Sequence, residues 1–373
     1  MVLRHWARDV VAPEDAVRAA LGEVTRERAS VSDSGWESLL GADGTALDEL
    51  CALADSARQT ATGDVLSFVV NRNLDTGVIT RLLPNGPSLE DLVAEAADLG
   101  ATELCLQGPV PDDAPADEYL TLISRIHAAA PEIHLHAFRP PEVRDAAARM
   151  GVTIEEFLRA ARDAGLGSIP GTGAQILDDE VRAALSAGNA PPVAEWIETV
   201  ETAHRVGLTS TATVVYGHLE TPAHLVAHLR TLCDIQSRTS GFTELIVMPM
   251  IPSMAGPHLG SVATGTVSAR ETRAVHAVAR LMTVGAFDHV QVAWTKLDAD
   301  LVDAVLHGGI DDIGGLLLDG ALMPTAGQEA GRVLAIDDLV DIAERSNRVL
   351  RQRTTRYQTP ASDRLLAIPQ VRR

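Results

Sequence analysis

Two histidines one residue apart, His134 and His136, are the first residues whose type and spacing suggest chemistry. On an extended strand that spacing points both imidazoles to one face, which is how a barrel hydrolase can begin a zinc site. His218 and Glu220 could complete such a site; a ligand-binding or packing role for the pair is the other reading. Tyr216 and His218 stand together in Tyr-Gly-His-Leu-Glu, where they could orient, donate to or deprotonate a ligand. Lys296, the only lysine in the chain, follows Trp294 by two residues. That places a mobile cation, or an amine able to form a Schiff base, beside an indole able to stack on a planar ring. Asn71, Arg72 and Asn73 offer amides and a guanidinium to a phosphate, carboxylate or hydroxyl. Further polar candidates are Gln107, then Thr172 and Gln175 in Pro-Gly-Thr-Gly-Ala-Gln, and Asp311 and Asp312 ahead of two glycines. Loop capping or core hydrogen bonding is the plain alternative for each.

These residues sit at or near the ends of strand-like runs. The runs are VLSFVVN, TELCLQG, EIHLHAF, LGSIPG, STATVVYG, TELIVMPM, HVQVAWT and GIDDIGG. Helical patterns such as SLEDLVAEAADLG and PAHLVAHLRTLCDIQ lie between them, and several end at glycine (Gly100, Gly165, Gly207, Gly285). Eight strands alternating with helices predict an α/β chain folded as a (β/α)8 TIM-type barrel, whose site lies at the C-terminal ends of its strands. The expected organisation is a helical N-terminal extension over residues 1–62, the barrel over 63–352 and a flexible tail over 353–373.

Composition bounds the partners. The chain has 373 residues and a formal net charge of −20, which argues against nucleic acid and anionic membrane and for a small-molecule ligand. No apolar run is long enough to span a bilayer, and the N-terminal residues lack the apolar core of a secretory signal. Three scattered cysteines, Cys51, Cys105 and Cys233, fit a reducing compartment, so a cytoplasmic location is expected. Oligomeric state has no signature here.

The stretch FVVNRNL resembles the first barrel strand of the radical-SAM enzymes that build the deazaflavin FO, in their second subunit or second half. Other stretches match in order: Thr211, Thr213 and Tyr216-Gly217-His218-Leu219-Glu220, Gly241-Phe242-Thr243-Glu244, and Trp294-Thr295-Lys296. The resemblance covers about residues 46–331 and implies the radical-SAM kind of barrel, acting on tyrosine and a ribityl-aminouracil. It also implies a CxxxCxxC loop for a 4Fe–4S cluster after the Asn-Arg-Asn step. Here Leu74 runs through Asp75, Thr76, Gly77, Val78, Ile79 and Thr80 to Arg81 without a cysteine. The family's Gln-Gly-Gly beside SAM reads Gln107-Gly108-Pro109, and its Pro-Gly-Thr-Ala-Ala-Glu ends in Gln175.

Because these departures coincide, the sequence leads to an expectation of no iron–sulfur cluster, with SAM binding in doubt. The barrel would then perform non-radical acid–base or transfer chemistry on a small polar or aromatic metabolite. His218, Tyr216 and Lys296 would be the catalytic groups. Asn71, Arg72, Asn73, Gln107, His134, His136, Thr172, Gln175, Glu220, Trp294, Asp311 and Asp312 would bind the ligand. Two other outcomes stay open. One is a pseudoenzyme that holds a deazaflavin-like or SAM-derived ligand or docks on an active relative; the other is the metal-dependent hydrolase on His134, His136 and His218.

Overall fold

A computed structural model describes residues 11–188, 190–251, 267–323 and 332–367. The ends of the expected N-terminal extension and tail, residues 1–10 and 368–373, lie outside the described residues. All eight expected strands form. The first is divided at Val70 into β1 (Val65–Val69) and β2 (Asn71–Asp75). Then follow β3 (Glu103–Gln107), β4 (His134–Ala137), β5 (Leu166–Ile169), β6 (Thr209–Tyr216), β7 (Phe242–Pro249), β8 (Val290–Val292), β9 (Asp312–Gly315) and β10 (Val349–Arg353). Every pairing is parallel, in the order β10-β1-β9-β8-β7-β6-β5-β4-β3-β2.

β2 ends that order, and β1 stands second from its other end. β1 and β2 are consecutive, and the carbonyl of Val70 accepts from Thr102 N–H at 2.8 Å at the start of β3. On the other side Leu316 donates to Val69 and Leu318 to Asn71, at 3.1 and 2.9 Å. One divided strand therefore closes the sheet into a barrel of the TIM type.

Helices cover the outside because their apolar stripes need the sheet. Helix Ile154–Ala164 starts in a capping box between Thr153 and Glu156 and ends at Gly165, whose φ of 117° suits glycine. It buries Phe157, Leu158 and Ala161, each large side chain contributing about 1.5–3 kcal/mol. Helices Asp33–Leu40 and Gly44–Thr62 pack on helix Ala269–Thr283 at the barrel's side, sharing its core through Leu39, Leu50 and Ala54, and helix Glu14–Glu27 packs on those two. No described helix is long and apolar enough to cross a membrane.

The C-terminal part of the chain, including residues 353–367 of the expected tail, makes specific buried contacts. Helix Ile336–Arg345 turns through Asn347, at φ 53°, into β10, which lies along β1 with Arg353 beside Val69. Beyond it, Tyr357 stacks on His289 at 3.5 Å between ring centroids, and Gln352 ties down the carbonyl of Arg364 and the N–H of Leu366 at 2.9 and 2.7 Å. Its composition is polar, but Arg353 and Thr355 are buried.

Candidate functional site

Strand alternation builds the interior. Residues at i, i+2 and i+4 share a face, so Asn71, Asn73 and Asp75, then Glu103, Cys105 and Gln107, then Glu244, Ile246 and Met248 all point inward. They line one cavity of about 500 Å³, a volume that suits a ligand of metabolite size. Gln107, Thr172, Met248, Trp294 and Lys296 come from strand ends and form its mouth. Trp294 is held by its indole N–H, which donates to the Gly315 carbonyl at 3.0 Å. Lower in the cavity lie His136, Gln291, Glu103, Glu244 and Arg353.

The floor is a buried ionic network carried by β10. Arg353 donates from Nε and Nη2 to the two oxygens of Asp312 at 2.6 and 2.9 Å, and from Nη2 to Glu244 at 2.8 Å. Its guanidinium also lies 4.0 Å over the Tyr357 ring. Asp312 accepts further bonds from Ser67 Oγ at 2.5 Å and Gly314 N–H at 2.7 Å, while the Tyr357 hydroxyl donates to Glu244. Thr355 donates to Glu103 at 2.5 Å and the Cys105 thiol to the same carboxylate at 3.1 Å.

Burial pushes the Glu244 carboxyl up to about 7, against the lowering influence of Arg353. A folded value above the unfolded 4.5 means that the native state holds an extra proton between those pH values. Stability from this group is therefore fully present below about pH 4.5 and falls as pH rises through 7. Glu244→Gln should remove that loss. Urea unfolding at pH 5 and pH 8 should show the variant gaining on the parent by on the order of 3 kcal/mol. Parallel stability curves for the two proteins would contradict it.

Of the expected site residues, Asn71, Asn73, Gln107, His136, Thr172, Trp294 and Lys296 line the cavity. The others do not. Arg72 faces the helix layer, fully buried, paired with Glu95 at 2.8 Å and donating to the Met323 carbonyl at 2.6 Å. Strand alternation already carried that signal: between two inward asparagines, the arginine must point out. Tyr216 is buried in the outer core edge-on to His276, and burial pushes its hydroxyl well above the ordinary tyrosine range. His218 donates from Nε2 to the Val215 carbonyl at 2.8 Å and accepts from Leu219 N–H at 2.7 Å, while Glu220 caps the N–H groups of Gly217 and His218 at 2.5 and 2.7 Å. Both shape the loop after β6.

His134 and His136 share a face as expected, since both bond the Ser168 hydroxyl, at 2.7 and 2.6 Å. Only His136 reaches the cavity. His134, lowered to about 4 by burial, borders a second cleft of about 460 Å³ against the segment 354–364. His218 does not join the pair, and the described residues contain no group of three His, Cys, Asp or Glu placed to hold a metal ion.

Gln175 acts through its backbone, at φ 50° with its carbonyl accepting from Val215 N–H at 3.0 Å. Asp311 and Asp312 precede and begin β9 rather than ending it. Asp311 pairs with Arg280 and accepts from His289 Nδ1 at 2.7 Å. The glycines after them make room for protein: a Cβ on Gly315 would meet the Asn71 amide oxygen at 2.1 Å. The residues that sequence reading missed, Glu103, Glu244 and Arg353, stand at strand starts or in the supposed tail. For the two acids the alternation of ELCLQ and TELIVMP was the available signal.

Comparison with known proteins adds the lineage. A family model described as the Radical SAM superfamily matches residues 79–232. The FO synthase of Mycobacterium leprae (strain TN) is 40% identical over 361 residues, covering 91% of this chain and 41% of that protein. The 5-amino-6-(D-ribitylamino)uracil–L-tyrosine 4-hydroxyphenyl transferase of Archaeoglobus fulgidus is 36% identical over 322 residues, covering 83% of this chain and 93% of its own length. This chain belongs to the FO synthase family. It spans about two-fifths of the length of the FO synthases it matches and nearly all of the archaeal protein. Among solved structures, the hydrogenase maturase HydG of Carboxydothermus hydrogenoformans superposes with a TM-score of 0.68 at 13% identity, over 92% of this chain and 81% of that one. Methylornithine synthase (PylB) gives 0.64 at 15% identity, over 87% and 95%, so the fold is the radical-SAM barrel.

Membership in the FO synthase family overturns the expectation of a cluster-less, non-radical protein. The comparisons support a radical-SAM enzyme, for which an iron–sulfur cluster and SAM are the family's means. The thiols of this chain do not fit such a cluster. Cys51 is buried in helix Gly44–Thr62, Cys233 lies on helix Pro222–Thr239, and Cys105 is inside the barrel on Glu103. Burial pushes all three thiols up, Cys233 to about 11, away from the thiolate a metal needs. Where the resemblance puts the three-cysteine loop, the chain forms a short helix, Thr76–Ile79, capped by Asp75 at 2.9 Å to Val78 N–H.

Proposed function

We propose that the barrel cavity binds the two compounds named for the Archaeoglobus relative, 5-amino-6-(D-ribitylamino)uracil and L-tyrosine, and serves 4-hydroxyphenyl transfer between them. The observation that carries this reading is that one cavity joins an indole wall to a ring of side-chain amides. Trp294 offers its face to a planar ring. Asn71, Asn73 and Gln107 each present both a donor and an acceptor, matching the alternating N–H and C=O groups of a uracil edge. Lys296 stands at the mouth, where a cation favours an amino-acid carboxylate. His136 supplies an imidazole that burial keeps below its ordinary value, hence neutral at pH 7. The kinship at 36% identity over 93% of the archaeal protein supports the choice of compounds.

Isothermal calorimetry tests it. Saturable binding of the ribityl-aminouracil and of tyrosine is expected, and absence of either would refute the reading. Trp294→Ala should weaken the uracil compound about tenfold, the equivalent of roughly 1.4 kcal/mol of lost stacking and contact. Tyrosine should respond more weakly.

A further inference from the structure

The lower half of the cavity differs in chemistry from its mouth. Near the mouth, Met248, Leu317 and Trp294 supply apolar walls, whereas the depth is lined by Glu103, Glu244, His136, Gln291 and Arg353. Such a lining is costly to bury and must meet hydrogen-bonding partners. Part of it is met within the protein. Arg353 serves Asp312 and Glu244, and Glu103 accepts one bond from Thr355 and one from Cys105. A carboxylate has about four acceptor positions, so Glu103 retains capacity toward the cavity. His136 uses Nδ1 on Ser168, which leaves Nε2 for the cavity.

We infer that this lower chamber is a subsite for a neutral polyol chain, seated below a planar ring held at the mouth. A hydroxyl both donates and accepts. It can therefore satisfy the carboxylates, the imidazole nitrogen and the Gln291 amide in succession, which a purely cationic group cannot do. The indole of Trp294 and the aliphatic side chains of Met248 and Leu317 mark a ring-binding region at the mouth, apart from this hydroxyl-binding one. The assignment rests on the proposed function, and it specifies which end of the ribityl-aminouracil enters first: the ring stays beside Trp294 and the ribityl chain descends toward Glu103.

The test compares two probes, 5-amino-6-(D-ribitylamino)uracil and 5,6-diaminouracil, by calorimetry on the full chain. The parent protein should prefer the ribityl compound by at least about tenfold, the worth of one well-made hydrogen bond set in a buried site. Gln291→Ala and Glu103→Ala should each cut that preference severalfold and leave diaminouracil affinity unchanged; Glu103→Gln, which keeps an acceptor, should retain most of it. If Glu103→Ala fails to fold, Gln291→Ala carries the comparison. Equal affinity for both probes in the parent would overturn the subsite and leave the proposed function standing. Binding of neither probe would overturn both. Retention of the full preference in Gln291→Ala and Glu103→Ala alike would place the polyol elsewhere.

Discussion

Replacing Arg353 by methionine should destabilise the protein by about 3–5 kcal/mol, the loss typical of removing one partner from a buried ion network. Asp312 and Glu244 would keep their burial and lose the cation that both bond. Methionine retains most of the apolar stem, so the loss reports on charge rather than on an empty space. Thermal unfolding should shift down by on the order of 10 °C. Arg230, half exposed and paired with Asp33 at 2.8 Å, provides the contrast: Arg230→Ala should cost under about 1 kcal/mol because water screens that pair. A similar small effect at Arg353 would mean that the floor network is not what holds β10 under the barrel.

Gly171→Ala should cost about 3 kcal/mol and distort the ligand cavity. A Cβ at this position would lie 1.8 Å from the Thr211 carbonyl oxygen and 2.8 Å from its carbon. Those atoms are backbone of β6 and cannot rotate aside. The same two segments are tied by Gly171 N–H to Thr211 Oγ1 at 3.0 Å and by Thr213 Oγ1 to the Gly171 carbonyl at 3.1 Å. Relief requires the strand exit at Pro170 and Thr172 to move, and both residues line the cavity. Melting temperature and uracil affinity should fall together; an unchanged melting temperature would contradict the close approach.

The barrel was legible because its signals are local and repeated: apolar strands, helical stripes and glycine stops at a regular spacing. The family was legible from text such as Tyr216-Gly217-His218 and Trp294-Thr295-Lys296. Roles within the site were harder. Matching text marked His218, Glu220 and Tyr216 as chemical, yet their surroundings make them loop and core residues. Asn-Arg-Asn was read as a block, although strand alternation assigns the asparagines to the cavity and Arg72 to the helices. The floor's inward acids were legible from strand alternation, but the cation that pairs them was not. Arg353 reaches Asp312 across 41 residues and Glu244 across 109, and no local period announces a contact between a polar C-terminal segment and two strand starts. The reading of chemistry from a missing cysteine loop failed differently. It treated one segment as decisive, whereas kinship over nearly the whole chain places the protein among radical-SAM enzymes.

A crystal structure grown with 5-amino-6-(D-ribitylamino)uracil tests the central claim most directly. Density for the ring against Trp294, within reach of Asn71, Asn73 or Gln107, is the expected result. Density confined to the cleft beside His134, or an empty barrel at saturating ligand, would contradict it.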